Sequence, residues 1–400
     1  MASDRPRWPH PTLRLFGRDV PAFRLFGAAG FAAGVVAGLA VAPFLGVGAG
    51  AVGAMFVLAV LTYLSLAALA MVVAGEPVLV FYHHGVGVAV VLAVAAAWWG
   101  WPVLPLLDVY AVSLMAFLTV ARVGCLTVGC CHGAPHDPHT PLGAVVYGDA
   151  HADEGFPHHL VGVPLFPLQA VEATGAALLA IGSLAVAAVA HSRPGDLIGL
   201  VVVGYALLRY RLEGLRGDPG RAELRRLTEA RITSVTLAVA VTAGAAAGLL
   251  PWHSYYPLAA AVLVAAAGHR AVATPERWDL DALLHPDHVA EMAGLLALAD
   301  DQTTGERIAV AETRAGLRLS TTTLASDDES AQRTVVTLSS GRGEPLPELA
   351  AFGLCRLLTT MRQPEGGASF HAGGSGVFHV VLVDLRQRRG TAAGSSRVGA

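Results

Sequence analysis

Apolar runs of about twenty residues, broken by short polar turns, organise the chain as far as Thr274. A helix that crosses a bilayer needs about 20 mostly apolar residues. Eight runs reach that length, at 26 to 47, 51 to 74, 78 to 99, 103 to 124, 166 to 190, 196 to 215, 231 to 250 and 254 to 272. Pro43, Gly75 with Pro77, Pro102, Pro164 with Pro167, Pro194 and Pro251 fall where such helices should start or stop. Trp98, Trp99, Trp101, Trp252, Tyr255 and Tyr256 sit at run ends, as interfacial aromatics do. No Asp, Glu, Lys or Arg occurs between Arg24 and Glu76, between Glu76 and Asp108, or between Arg231 and Arg270. The pattern predicts an all-α polytopic membrane bundle of seven or eight transmembrane helices over 26–273, preceded by an extramembrane segment, 1–25.

Two stretches depart from it. Residues 131–164 carry six of the sixteen histidines and four Asp or Glu. They read as a histidine-rich extramembrane loop, and long persistent loops usually carry function. After Thr274 the composition becomes that of a soluble domain. Helical periodicity over 285–300 and 348–361, with strand patterns at 307–312, 318–323, 334–339 and 377–385, predicts a small α+β domain over 276–385. The Arg-, Gly- and Ser-rich residues 386–400 have the composition of a disordered tail.

Composition narrows the function classes. Of 400 residues, 54% are hydrophobic and 14% charged, more lopsided than a soluble protein. A net charge of -3, with no basic run interleaved with aromatics, argues against a nucleic-acid partner. Lys and Asn are absent altogether. Met1 to Arg24 holds five arginines and four prolines and leads into an apolar run without a small-residue cleavage site, unlike a removed signal peptide. Four cysteines, three of them at 125, 130 and 131, mark a site rather than a disulfide framework.

Charge at membrane depth is the informative feature, since one such side chain costs about 2.5–3.5 kcal/mol on insertion scales. Tyr205, Arg209, Glu213 and Arg216, spaced by four, four and three, share one stripe of the sixth run. The stripe is either an ion-paired helix end or an anion site, for which the planar guanidinium of Arg is suited. Arg122 closes the fourth run as an interfacial anchor or a ligand-binding group. Gln169 and Glu172 open the fifth, where Glu172 is placed to pair with Arg122 or to carry a proton. His83 and His84 interrupt the third run beside Gly85 and Gly87; a histidine there is either a satisfied core residue or a catalyst.

Several segments, in order over about the first 250 residues, resemble the prolipoprotein diacylglyceryl transferase family. They are Pro11 to Gly17, Phe81-Tyr82-His83-His84-Gly85, Arg122-Val123-Gly124-Cys125 continuing to Gly129 and Gly133, Phe166 to Glu172, and Tyr205 to Pro219. In the last, the tyrosine, both arginines and the glutamate match the family's spacing, and Asp218 falls one place early. The resemblance implies a plasma-membrane transferase with no cofactor. Its donor would be phosphatidylglycerol and its acceptor the sulfur of a prolipoprotein's lipobox cysteine, with glycerol phosphate released. Arg122 and Arg209 would stabilise the departing phosphate, and His84, or second to it Glu172, would take the thiol proton. Tyr205, Glu213, Arg216, Gln169, Gly124 and Gly133 would bind substrate.

The match has gaps. Cys125 stands for the signature asparagine, Val128 for a later asparagine, Cys130 for a glutamate, and Phe26 and Val171 for tyrosines. Cys125, Cys130, Cys131 and His132 form a cluster whose ligand types suit a metal or a redox reaction, although the usual Cys-x2-Cys spacing of zinc sites is missing. Three readings follow: a diacylglyceryl transferase or a relative with another acceptor, a noncatalytic lipid-binding receptor, and a metal or redox site on the same scaffold. Orientation also divides. The positive-inside rule places the N-terminus, the 209–231 connection and Arg270 in the cytoplasm, whereas the resemblance implies an outward-facing N-terminus.

Overall fold

The computed structural model describes residues 9–74, 81–189, 192–221, 223–272, 278–302, 310–325, 332–341 and 343–384. The start of the third apolar run, residues 307–309 of the first expected strand, and the tail from Arg386 lie outside them. A hairpin of β1 (Thr12–Leu15) and β2 (Arg18–Pro21), missed from the sequence, leads into α1 (Ala22–Val41), α2 (Ala49–Ala74), α3 (Phe81–Trp99) and α4 (Val103–Val128). Then come β3 (Val145–Val146), α5 (Asp149–Ala152), β4 (Pro164–Leu165), α6 (Leu168–Val189), α7 (Asp196–Glu213), β5 (Glu223–Leu224), β6 (Leu227–Thr228), α8 (Glu229–Ala246) and α9 (Tyr255–Val272). The remainder forms α10 (Leu280–Leu283), α11 (Pro286–Gln302), β7 (Val310–Glu312), β8 (Leu317–Ala325), β9 (Gln332–Ser340), α12 (Glu348–Arg362), β10 (Ala368–Ala372) and β11 (Phe378–Asp384).

Each of the eight apolar runs coincides with one long helix. By length and composition five are candidate membrane spans: Ala22–Leu45, Ala49–Val73, Tyr82–Trp99, Val103–Val128 and Leu168–Val189. The chain separates into two compact units. The first comprises Met1–Cys130, Leu168–Leu215 and Arg221–Ala273; the second comprises Cys131–Pro167, Arg216–Gly220 and Thr274–Ala400.

In the first unit α4 is the central helix, packed on α1, α6 and α7. Its seam with α1 uses glycines at a four-residue repeat. A Cβ on Gly30 would lie 2.9 Å from the Phe117 carbonyl oxygen, and one on Gly34 3.0 Å from that of Ser113. The spacing is a small-residue helix contact of the kind membrane helices use to bring backbones close.

The lone carboxylate of the fourth run, Asp108, is fully buried and caps another helix. Its Oδ2 accepts the Gly195 N–H and its Oδ1 the Ile198 N–H, both at 2.7 Å, at the start of α7. Asp108→Ala should orphan these buried amides and cost about 1–3 kcal/mol. We expect a lower thermal midpoint in detergent and partial recovery in Asp108→Asn, which keeps one acceptor. Equal midpoints in all three proteins would exclude the capping role.

The second unit holds a five-stranded antiparallel sheet in the order β10-β11-β9-β8-β7. Inward-facing Leu317, Leu319, Val336, Leu338, Phe378, Val380 and Leu382 alternate with polar positions and form one core with α10, α11 and α12. This alternation makes the strand pattern legible. β10 escapes it, because Ala-Ser-Phe-His-Ala has only one large apolar residue. Residues 131–164, expected as a loop, form with Leu165 the β3–β4 pair and a small core of Tyr147, Phe156, Leu160, Val163 and Leu165.

Candidate functional site

Three helices of the first unit carry polar side chains inward to one place. Glu172, on α6, is 1% exposed, and its Oε1 accepts Nη2 of Arg122 from α4 at 2.9 Å and the Tyr205 hydroxyl from α7 at 2.6 Å. Arg122 is itself buried, 7% exposed. The pair and its hydroxyl form a buried, charge-assisted network, the kind that holds only when its members are mutually satisfied. Tyr82 packs against Tyr205 with ring centroids 6.1 Å apart and shares a 2.8 Å hydrogen bond with Ser234.

One turn along α7 lies a second buried pair. Arg209 Nη2 meets Glu213 Oε2 at 2.6 Å, and Arg221 Nη1 meets the other oxygen at 2.5 Å. Arg209 is 6% exposed, and its Nη1 has no hydrogen-bond acceptor among the described residues. Tyr205 lies within electrostatic reach of both Arg122 and Arg209. Arg122, Glu172, Tyr205, Arg209 and Glu213 are therefore one buried neighbourhood with an unpartnered guanidinium nitrogen.

Other expected residues lie elsewhere. His84 is buried with its ring against Tyr63, centroids 4.9 Å apart, while His83 pairs with Glu229 at 2.6 Å. Gln169 donates to the Cys130 carbonyl at 2.9 Å and fixes the start of α6 to the end of α4. Gly124 is where α1 crosses α4, since a Cβ there would lie 3.0 Å from Cβ of Phe26. Arg122 Nη1 approaches Cys125 Sγ at 3.9 Å. Sequence reasoning missed Tyr82, Ser234 and Arg221; only Tyr82 had a signal, its place beside the histidine pair.

Gly133, Arg216 and His132 belong to the second unit. Gly133 and Arg216 form an antiparallel bridge, and the Gly217 N–H donates to the His132 carbonyl at 2.9 Å. Gly133 admits no side chain, because a Cβ would collide with the Phe166 carbonyl oxygen. Arg216 grips Asp218 through two guanidinium nitrogens, at 2.7 and 2.5 Å. His132 Nδ1 donates to the Gly133 carbonyl at 3.0 Å, and its ring meets Phe156 edge-on.

Burial pushes His132 below its ordinary value of 6.5; His159 is lowered too, first by burial and then by the nearby charge of His132. With the folded value below the unfolded one, acidification favours the unfolded chain, which takes up protons that the folded one refuses. Stability contributed here is complete above about pH 6.5 and declines as the pH falls below it. We expect the melting temperature in detergent to drop between about pH 7 and 5. The drop should shrink in His132→Gln and further when His159→Gln is added; an unchanged slope would refute the assignment.

None of the cysteines is in a disulfide. Among the described residues no three His, Cys, Asp or Glu side chains are grouped closely enough to hold a metal ion.

Long apolar helices around buried, carboxylate-paired arginines define a polytopic helical membrane protein with a cationic interior site. The chain belongs to the prolipoprotein diacylglyceryl transferase family, whose model matches residues 34–247. Members are transferases of lipoprotein biosynthesis. The chain is also similar to phosphatidylglycerol–prolipoprotein diacylglyceryl transferase 2 of Clostridium perfringens (strain 13 / Type A), 27% identical over 165 residues. That match covers 40% of this chain and 58% of the relative's length.

Proposed function

We propose that this protein transfers the diacylglyceryl group of phosphatidylglycerol to the sulfur of a lipobox cysteine, in the plasma membrane. The observation that carries the reading is the Arg122–Glu172–Tyr205 network with the buried, unpartnered Nη1 of Arg209 beside it. A phosphate ester leaving in a low-dielectric interior needs fixed positive charge where negative charge develops. The acceptor sulfur forms a bond to the terminal glyceryl carbon of the donor as the carbon–oxygen bond to phosphate breaks, and glycerol phosphate departs with the electron pair. Arg209 receives a phosphoryl oxygen on its unpartnered Nη1, and Arg122 stabilises the phosphate from α4 while Glu172 and Tyr205 hold its fork in place. The thiol proton goes to a base. Two groups can serve: the second carboxylate oxygen of Glu172, whose Oε1 already accepts two donors, and His84.

On this reading α7, α8 and α9, each 18 residues long, cross the membrane with the five helices above, giving eight spans. Soluble residues 276–385 form an appended α+β domain. The test is an assay with phosphatidylglycerol labelled in its acyl chains and a lipobox peptide. Label should appear on the peptide and not on its Cys→Ser control, with glycerol phosphate released in equal amount. No label on the cysteine peptide, with lipid still bound, would instead favour a noncatalytic lipid receptor.

A further inference from the structure

Arg231 has no role in the transfer just described. It lies in the first turn of α8 and is 6% exposed, yet its guanidinium makes no hydrogen bond or ion pair with a described residue. Its Nε is buried without an acceptor. Its clearest neighbour is the Tyr210 ring of α7, whose centroid lies 5.7 Å away, and the Tyr210 hydroxyl is likewise buried without a partner among the described residues. Arg270, a like charge, is within electrostatic reach, as are Glu213 and Glu223. Glu213 is already shared by Arg209 and Arg221.

A guanidinium on a residue 6% exposed, with its Nε buried and no acceptor on any of its nitrogens among the described residues, is costly for a fold to carry. The cation–π contact offsets only part of that cost. The C-terminus of α7 also helps, because Nη2 rests near Gly214, where an added Cβ would lie 3.0 Å away. The N-terminus of α8, which carries Arg231, acts in the opposite sense. What is missing is an acceptor with several oxygens that can take the guanidinium N–H groups and the Tyr210 hydroxyl together.

We infer that Arg231 and Tyr210 form a second anion site, between α7 and α8, that binds a phosphoryl group. Phosphate oxygens match both the planar fork and the hydroxyl. The group is supplied either by the headgroup of an anionic phospholipid or by a free phosphate species. The inference does not depend on the transfer reaction.

The test measures thermal stability of the full chain in zwitterionic detergent, with and without inorganic phosphate, and in nanodiscs of phosphatidylcholine or phosphatidylglycerol. Variants are Arg231→Met, which keeps the apolar stem and removes the charge, Tyr210→Phe, and Arg209→Ala as the control at the transfer site. Without anion, Arg231→Met should melt at or above the wild-type temperature, because it removes an uncompensated buried charge. With the anion the order should reverse by several degrees. Tyr210→Phe should show a reduced stabilisation, and Arg209→Ala should retain most of it.

Stabilisation by inorganic phosphate identifies a free-phosphate site, and stabilisation only by phosphatidylglycerol identifies a lipid headgroup site. An Arg231→Met protein less stable than wild type without anion shows that the protein itself satisfies the guanidinium, and the inference fails. It fails equally if phosphate and phosphatidylglycerol stabilise wild type and Arg231→Met alike. Loss of transfer in Arg209→Ala with the Arg231 effects intact separates this site from the catalytic reading.

Discussion

Arg209→Ala should lose transfer by a factor on the order of 10²–10³, the usual cost of removing one group aimed at developing charge. The fold should persist, for a specific reason. Glu213, which loses Arg209, keeps Arg221 on its other oxygen at 2.5 Å, so no buried carboxylate is stranded. Arg209→Lys should recover only part of the activity, since an ammonium is a point charge and cannot hold Glu213 with one nitrogen while presenting another to a phosphate. The check is single-turnover transfer to a lipobox peptide alongside the melting temperature in the same detergent. Full activity in Arg209→Ala would remove phosphate stabilisation by this residue from the mechanism. Lost activity together with a collapsed melting curve would make the Arg209–Glu213 pair structural.

Much of this neighbourhood is legible in the amino-acid sequence. Arginine, glutamate and tyrosine at helical spacing in an otherwise apolar run are too costly to be incidental, and the 205–213 stripe is indeed buried. The Arg122 partner is legible in outline, because Glu172 is the available carboxylate opening a neighbouring span. Periodicity locates the eight long helices to within a few residues and four of the five strands of the sheet. Packing decides the rest. The fourth helix runs to Val128, beyond the expected end at 124, and closes on Gly129 in a left-handed conformation (φ 78°). Cys125 is consequently a helical residue next to Arg122 rather than the start of the loop.

What stays hidden depends on contacts between distant positions. Nothing near Asp108 in the chain marks it as a cap, yet its carboxylate holds the start of a helix nearly ninety residues later. Tyr82 and Ser234 meet across 152 positions, and no local pattern marks a tyrosine and a serine as partners. His84 reads as the polar centre of its motif, but Tyr82, two residues earlier, is the side chain that packs on Tyr205. In a helix two residues differ by about 200° in direction, so a motif read without its neighbours does not say which member faces the site.

Glu172→Leu should be the most damaging single change to the fold. It leaves the Arg122 guanidinium, 7% exposed, without its carboxylate and the Tyr205 hydroxyl without its acceptor. Breaking one side of a buried pair costs about 3–5 kcal/mol, mostly because the remaining charge stays in low dielectric. Glu172→Gln keeps an oxygen for both donors and should lose less stability, though still much of the transfer. The decisive comparison is the double variant Arg122→Met with Glu172→Leu. Replacing a whole buried pair by apolar side chains is often neutral or stabilising, so its melting temperature should return toward wild type while transfer stays abolished. That outcome would mean the pair is kept for chemistry, since an apolar contact between α4 and α6 would hold the helices equally well. A double variant as unstable as Glu172→Leu alone would instead assign the pair to structure.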